Sequence, residues 1–105
     1  MPIDITIREA QPKTKKRFTA IFRLHKGGKV IKITHFGQRN PKQGTYIDHG
    51  DKEKRKNYIA RHEVREKKFY KNAQRASTLS SFLLWGPHKT LKKNLDFYKD
   101  KYNLS

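Results

Sequence analysis

An excess of positive charge is the feature that most constrains what this chain can fold into. Twenty-six Lys and Arg residues stand against nine Asp and Glu residues in a chain of 105, so the formal net charge is +17 at pH 7. Repulsion among like charges destabilises a compact state, and a domain of this size has only a small core to offset it. We therefore expect a protein that meets a polyanion, with nucleic acid as the leading candidate and acidic lipid or an acidic protein behind it.

The chain nevertheless carries the residues of a small core. Only 33% of it is hydrophobic, below the roughly 45–50% of typical domains, but 11% is aromatic and the large apolar residues recur in periodic segments. The surplus charge is distributed, at +9 over residues 1–47, +5 over residues 48–75 and +3 over residues 76–105. A basic tail on a neutral domain does not fit this distribution. We predict one domain that spans residues 1–105.

Several classes of protein are excluded by what the sequence lacks. There is no run of about eighteen apolar residues, so we expect no membrane span. The first ten residues, MPIDITIREA, lack the basic and apolar regions of a secretion signal, so we expect a protein that is not secreted. The absence of cysteine excludes disulfides, cysteine zinc fingers, iron–sulfur clusters and thiol catalysis.

The N-terminal half predicts a small antiparallel sheet. Residues 3–7 alternate between apolar and polar side chains, which is the period of a half-buried strand. The alternation resumes over residues 17–24, the glycines at 27–28 supply a tight turn, and residues 29–36 are β-branched and apolar. This pattern predicts an N-terminal strand plus a β-hairpin. Residues 37–50 are predicted to form a long loop.

The C-terminal half predicts about three helices. Asp48 or Asp51 is positioned to cap a long amphiphilic helix. Thr78 is the predicted cap of a short apolar helix over residues 79–85, and Thr90 of a last helix. The predicted fold class is therefore α+β, with a small antiparallel sheet packed by about three C-terminal helices.

The aromatic residues divide into core and surface candidates. Trp85, Tyr98 and Tyr102 offer stacking surfaces for unpaired bases, but their helical spacing favours packing in the core. Tyr46 and Tyr70 lie in predicted loops that contain lysines. We expect those two side chains to be exposed.

The candidate binding residues are the lysines and arginines of the N-terminal turn, the hairpin, the loop and the long helix. Phosphates along a DNA strand repeat at roughly 6–7 Å, about twice the ~3.3 Å rise of a strand, so a basic sheet face can follow a nucleic-acid backbone. On the long helix, Asn57 and Arg61 are candidates for reading base edges, although interleaved glutamates favour a solvated or phosphate-clamping face. The predicted DNA-binding residues are Lys13, Lys15, Lys16, Arg17, Arg23, Lys26, Lys29, Lys32, Arg39, Lys42, Lys52, Lys54, Arg55, Lys56, Arg61, Lys67 and Lys68.

Histidines and acids raise the alternative of a metal-dependent nuclease. Its candidate residues are His35, Asp48, His49 and His62. The second histidine of an H-E-x-x-H motif is missing, and a histidine on the same stripe as Tyr58 is more typical of a hydrogen-bonded, partly buried side chain. No glycine-rich phosphate-loop motif occurs either. We expect no catalytic residues, no metal and no cofactor, and leave open whether the four candidates form a site or support the fold.

Three segments carry a resemblance to a known family. They are H-F-G at residues 35–37, D-H-x-D-K-x-K-R-x-x-Y-I-A-R-H at residues 48–62, and L-S-x-x-L-L-W-G-P at residues 79–87. In combination they resemble a family of small basic proteins of nucleocytoplasmic large DNA viruses, the giant-virus group, over about residues 17–103. The chain departs from that family at residues 69–76, where an acidic-tryptophan-proline segment would be expected.

The resemblance implies a virus-encoded basic protein that is packaged in the virion or associated with the infected host cell, in the cytoplasmic viral factory or the nucleus. It implies no catalytic residues. Arg55, Tyr58, Arg61, His62 and Trp85 match its motif.

The leading hypothesis is a non-enzymatic, largely sequence-independent protein that binds double-stranded DNA, neutralises phosphate charge and helps compact or package viral DNA. The first alternative is an RNA-binding module, similar to a ribosomal protein, that reads A-form shape or loops. A metal-dependent nuclease comes third, and a protein that docks on acidic host chromatin proteins comes fourth. A homodimer is the further partner that we consider.

Overall fold

A computed structural model describes residues 2–38 and 44–105 of the chain. The strands are β1 (Asp4–Glu9), β2 (Lys16–Arg23) and β3 (Val30–Gln38), and the helices are α1 (Tyr46–His49), α2 (Lys52–Glu66), α3 (Ala76–Leu79) and α4 (Leu91–Tyr102). Short 3-10 turns lie at Pro12–Thr14 and Lys67–Phe69, and α3 continues into a π-helical turn at Ser80–Leu84. The predicted α+β fold is confirmed. None of the helices in the described part of the chain is long and apolar enough to cross a membrane.

The three strands form an antiparallel sheet in the order β1-β2-β3. Ile5 lies opposite Phe22, and Phe18 lies opposite Phe36. Because alternate residues of a strand share a face, the residues of these two pairs turn together toward the helices. Ile5, Phe22 and Phe36 are buried there. The alternation over residues 17–24 predicts one face with Phe18, Ala20, Phe22 and Leu24, and the first three are buried or half-buried, whereas Leu24 lies beyond the strand end and is exposed. Thr19 and Ile21 of the opposite face are buried as well.

The other half of the core comes from α3, the π-helical turn and α4. Leu79, Leu83 and Leu84 are buried against the sheet together with Tyr98 of α4. Burying each large apolar side chain contributes roughly 1.5–3 kcal/mol. The Tyr98 hydroxyl donates to the Ala73 carbonyl at 2.6 Å, so the polar end of this buried ring is satisfied.

Two of the predicted helix caps form and one does not. Asp51 accepts hydrogen bonds from backbone N–H groups in the first turn of α2, and Thr90 accepts one from Lys93 in the first turn of α4. The expectation that Thr78 is a cap was wrong, because α3 begins earlier and its N-cap is Arg75. The Thr78 hydroxyl donates instead to the Phe69 carbonyl of the preceding turn at 3.2 Å.

The predicted loop over residues 37–50 contains additional structure. β3 continues to Gln38, and α1 forms one helical turn that ends at Gly50. Gly50 has a φ of 65°, and its N–H donates to the Tyr46 carbonyl at 2.8 Å. Tyr46 is 4% exposed, so the expectation of an exposed ring was wrong: helix formation turns it inward. Tyr70, also expected to be exposed, is half-buried, and its hydroxyl donates to Ser81.

The turn between the π-helical segment and α4 is fixed by Asn94. This fully buried side chain donates through Nδ2 to the Leu83 and His88 carbonyls, each at 2.9 Å, and accepts from the His88 N–H at 2.8 Å. Gly86 lies in the same turn, where an added Cβ would contact the Phe82 carbonyl and lie 2.6 Å from Asn94 Oδ1. The turn therefore holds the backbone around residue 85 in one position.

Candidate nucleic-acid interface

The lysines predicted to bind DNA near the sheet lie at its two ends. Lys13 and Lys15 are exposed in the β1–β2 connection, Lys16 is exposed at the first residue of β2, and Lys26 and Lys29 are exposed in the β2–β3 turn. The seven residue steps of β2 between the two ends span about 23 Å. These residues therefore form two basic clusters, which we call the N-terminal lysine cluster (Lys13, Lys15 and Lys16) and the hairpin lysine cluster (Lys26 and Lys29).

A row without charge crosses the outward sheet face between the two clusters. Thr6, Ile21 and Ile33 are direct cross-strand neighbours on that face, and Ile33 is 51% exposed. The adjacent row holds Arg8, Thr19 and His35: Arg8 is exposed, and the Thr19 hydroxyl and His35 Nδ1 share a hydrogen bond of 2.8 Å. Apart from Arg8, the basic residues near this face lie toward the two ends of the sheet, so contacts with a polyanion would concentrate there.

Arg17 is one of the predicted binding residues that the fold already uses. Its Nη1 donates to Asp48 Oδ2 at 2.8 Å and its Nη2 to Asp48 Oδ1 at 2.7 Å. Oδ2 also accepts from the N–H and the hydroxyl of Thr45, each at 2.7 Å. The Arg17 guanidinium, followed by the Thr45 bonds, holds the pKa of the Asp48 carboxyl well below its usual value. This cluster ties the start of β2 to α1.

Arg55 also has partners within the fold. Its Nε donates to the Trp85 carbonyl at 3.1 Å and to the Gly86 carbonyl at 2.8 Å. The guanidinium carbon lies 5.6 Å from the centre of the Tyr46 ring. The side chain thereby holds α2 against the turn that follows the π-helical segment, and its Nε–H is not available to a ligand.

The remaining predicted binding residues differ in their surroundings. Arg23 is half-buried at the end of β2, and Lys67 lies 3.6 Å from Glu63. Arg39 and Lys42 lie outside the described residues. The other predicted binding residues are exposed and have no ion pair among the described side chains: Lys32, Lys52, Lys54, Lys56, Arg61 and Lys68.

Ion pairing neutralises little of the positive charge. Among the side chains that the structure describes, the ion pairs are Arg17 with Asp48 and Lys67 with Glu63. The glutamates interleaved on the long helix can pair with basic residues three or four positions away, and the described side chains show one such pair, Lys67 with Glu63. Since the chain has 26 Lys and Arg residues, most of the basic side chains in the described part have no carboxylate partner.

Three stacked rings connect α2 to the turn after the π-helical segment. The Trp85 and Tyr58 rings are nearly parallel, with centroids 4.2 Å apart, and Tyr58 and His62 stack at 3.8 Å. His62 Nδ1 lies 2.9 Å from the Tyr58 carbonyl, to which it donates. The prediction of a hydrogen-bonded, partly buried His62 is confirmed. Trp85 is half-buried at one end of the stack.

A cleft opens beside this stack along one side of α2. The spacing of Lys54, Asn57 and Arg61 places them on adjacent turns of the same helix side. The cleft has a volume of about 310 Å³, and no Asp or Glu is among the described residues that form its walls. We call it the α2 cleft, and its walls are formed by Gly44, His49, Lys54, Asn57, Arg61 and Trp85.

His49, one of the wall residues of this cleft, has a buried hydrogen-bond donor without a partner among the described residues. Its Nδ1 accepts from the Asp51 N–H at 2.9 Å, so the ring proton lies on Nε2. Nε2 is buried and has no hydrogen-bond partner within the described ranges. The His49 ring also meets the Trp85 ring edge to face, with centroids 5.5 Å apart. The D-H-x-D pattern contains the capping aspartate that accounts for this tautomer, but the sequence does not reveal that the ring borders a cleft.

The four residues considered for a nuclease have separate partners. His35 bonds to Thr19, Asp48 is paired with Arg17, and His49 and His62 contact different ends of the ring stack. In the part of the chain that the structure describes, no three His, Asp or Glu side chains come together in a way that could hold a metal ion.

The chain matches one protein family over about half its length. The match is to a family described as a family of unknown function (DUF5754), and it covers residues 9–62. It includes β2, β3, α1 and the α2 side of the cleft, whereas Trp85 lies beyond it. No curated protein matches the chain, and no solved structure matches it.

Proposed function

We propose that this chain, which belongs to the DUF5754 family of proteins of unknown function, is a non-enzymatic protein that binds double-stranded DNA largely without regard to sequence. The observation that carries the proposal is the uncompensated charge. The net charge is +17, and the two ion pairs among the described side chains leave most of the basic groups there without a carboxylate partner. Phosphates would supply the missing negative charge, and the release of their counterions would drive binding.

The positions of the lysines also support compaction of the DNA. The N-terminal and hairpin lysine clusters lie at opposite ends of β2, about 23 Å apart. A protein with two separated basic surfaces can contact two segments of duplex at once, which brings the segments together. Compaction by this route needs no base-specific contact, because phosphate contacts position a protein without reading sequence.

The test is a binding titration of the chain with a random-sequence duplex over a series of salt concentrations. If roughly six phosphates are contacted, the logarithm of the affinity falls against the logarithm of the salt concentration with a slope of about −5. Micromolar or weaker binding at low salt, with no dependence on salt, contradicts the proposal. In a competition at equal length, preferential binding of structured RNA would favour an RNA-binding module instead.

A matched pair of variants tests which lysines are involved. Lys26→Gln combined with Lys29→Gln removes the hairpin lysine cluster, while Lys92→Gln combined with Lys93→Gln removes the same charge from α4, outside the predicted interface. Each lost phosphate contact makes the slope less negative by about 0.9, so the first double variant is expected to change it by about 1.8 and the second by less than half of that. Equal changes in the two variants contradict the assignment of the hairpin lysine cluster to the interface.

We extend the proposal to the place of action. The resemblance to proteins of giant viruses favours a role in compacting or packaging a viral genome, in the virion or in the infected cell. Immunolabelling of infected cells and of purified particles would test this, with co-localisation with viral DNA expected. Label that is absent from both the particles and the sites of viral DNA would contradict it.

A further inference from the structure

We infer that the α2 cleft binds the phosphate of a single unpaired nucleotide, such as one at a strand end or in a frayed duplex. This inference deepens the proposed DNA binding and rests on it, because the nucleic acid would present the nucleotide to the cleft. It assigns one defined ligand to the α2 cleft, whereas the other exposed lysines and arginines would contact any phosphate of the nucleic acid.

The charge in the cleft selects an anion. Lys54 and Arg61 are exposed on the same side of α2, neither takes part in an ion pair among the described residues, and the described walls contain no carboxylate. Lys54 and Arg61 are seven residues apart, roughly 10 Å along the helix axis, so their long side chains can reach one anion from two sides. A phosphate oxygen accepts from both lysine and arginine in charge-assisted hydrogen bonds.

The unused donor of His49 points to a hydrogen-bond acceptor. A buried N–H without a partner destabilises the structure that contains it, and such groups in proteins are usually satisfied. The Cδ2 atom of His49, which is bonded to Nε2, is 3.7 Å from the position that a Cβ of Gly44 would occupy, so the buried Nε2 edge of the ring lies against the Gly44 wall, and a ligand oxygen reaches Nε2 once that wall moves aside. Because the Nδ1 bond to Asp51 places the proton on Nε2, this edge of the ring suits an oxygen acceptor and not a metal ion.

The size and the other walls favour a nucleotide. A volume of about 310 Å³ is at the lower end of the roughly 300–1,000 Å³ of small-molecule sites, so a phosphate with part of its nucleoside fits and a duplex does not. Asn57 provides an amide that can both donate to and accept from a base edge, and Trp85 provides an aromatic wall. Inorganic phosphate would use the cations but neither of these walls.

Trp85 is the only tryptophan in the chain, so its fluorescence reports on the cleft directly. The experiment titrates the full chain with thymidine monophosphate, thymidine and inorganic phosphate, with excitation at the red edge of the indole band. A saturable change is expected with thymidine monophosphate, with about tenfold weaker binding or none for the other two ligands. No saturable change, or equal binding of all three ligands, overturns the inference.

Matched lysine variants locate the site. Lys54 and Lys56 are exposed on α2 two residues apart, and only Lys54 is among the described residues that form the cleft walls. Lys54→Gln and Arg61→Gln are each expected to weaken thymidine monophosphate binding by about tenfold, the effect of losing one charge-assisted hydrogen bond. Lys56→Gln is expected to leave it unchanged. Equal weakening by Lys54→Gln and Lys56→Gln overturns the assignment to the cleft.

The random-sequence duplex titration, run in parallel, separates this inference from the proposed function. Salt-dependent duplex binding without mononucleotide binding refutes the cleft inference and leaves the proposed function standing. Mononucleotide binding without duplex binding refutes the proposed function, while the cleft remains a nucleotide phosphate site.

Discussion

Replacing Asn94 with alanine is expected to destabilise the fold strongly, because one buried side chain fixes the turn that carries Trp85. The amide makes three hydrogen bonds, to the Leu83 carbonyl and to both backbone groups of His88. Alanine makes none of them. Asn94 and Leu83 are both 0% exposed, whereas His88 is exposed.

The exposed fractions of these residues set the size of the expected loss in the free energy of unfolding. The Leu83 carbonyl loses its side-chain partner away from water, at a cost of about 1–3 kcal/mol. The two backbone groups of His88 can turn to solvent, so each lost bond there costs only about 0.5–1.5 kcal/mol. Part of this loss is recovered as the turn relaxes, and we expect a total of about 2–4 kcal/mol. For a domain of this size, that corresponds to a fall in Tm of roughly 10–25 °C.

Urea unfolding followed by circular dichroism measures the free energy of unfolding of wild type and variant. Asn57→Ala is the matched control: the same residue type at an exposed position on α2, it is expected to change the free energy by no more than about 0.5 kcal/mol. If Asn94→Ala loses less than about 1 kcal/mol, the hydrogen bonds do not fix the turn and the reasoning is refuted.

Three further predictions concern stability. Gly86→Ala is expected to lower the free energy of unfolding in urea by at least about 2 kcal/mol, because the added Cβ meets a backbone carbonyl. In Gly28→Ala the added Cβ meets only the exposed His25 ring, so the change should stay within about 0.5 kcal/mol. Similar losses in the two variants would contradict this prediction. The pKa of Asp48 is lower in the folded than in the unfolded protein, so its carboxylate contributes fully to the free energy of unfolding above the unfolded pKa of about 4, and this contribution is lost as the pH falls through the folded pKa. Acid titrations should therefore show a smaller loss of stability below about pH 4 in Asp48→Asn, and an identical acid loss would argue against the Asp48 ion pair. Burial raises the pKa of Tyr102 to about 12 and raises that of Tyr98 further. The two phenols therefore contribute to the free energy of unfolding below about pH 10, and this contribution is lost as the pH rises through their folded pKa values. Replacing both with phenylalanine should flatten the alkaline loss of stability, which unfolding titrations would detect.

The parts of the fold that the sequence predicts are those set by local chemistry. The inward face of β2 follows from its alternation, which fixes the facing of side chains whatever lies beyond the strand. The caps Asp51 and Thr90 are correct because each bonds to the backbone two or three residues later. Thr78 has the same chemistry but bonds to Phe69, nine residues earlier, in a contact that only the folded turn creates.

Long-range contacts account for what the sequence reading missed in the candidate site. The sequence does not distinguish Arg17 and Arg55 from the other basic residues, because their hydrogen-bond partners lie about thirty residues away along the chain. The spacing of Lys54 and Arg61 on one side of a helix is visible in the sequence, and both were predicted binding residues. That they face a cleft completed by Trp85, which belongs to a different segment, depends on the packing of α2 against the turn.

The two kinds of basic residue therefore have different roles in this fold. A planar guanidinium satisfies two acceptors at once, and Arg17 and Arg55 each do so with groups of the protein itself. The lysines of the N-terminal and hairpin clusters are exposed and have no carboxylate partner among the described residues. Loss of an exposed lysine changes stability little and relieves like-charge repulsion. Loss of Arg55 instead leaves two part-buried carbonyls without their donor, and loss of Arg17 breaks the ion pair that ties β2 to α1. Reduced binding in lysine variants can therefore be assigned to lost phosphate contacts, while reduced binding in Arg17 or Arg55 variants would first have to be separated from loss of the fold.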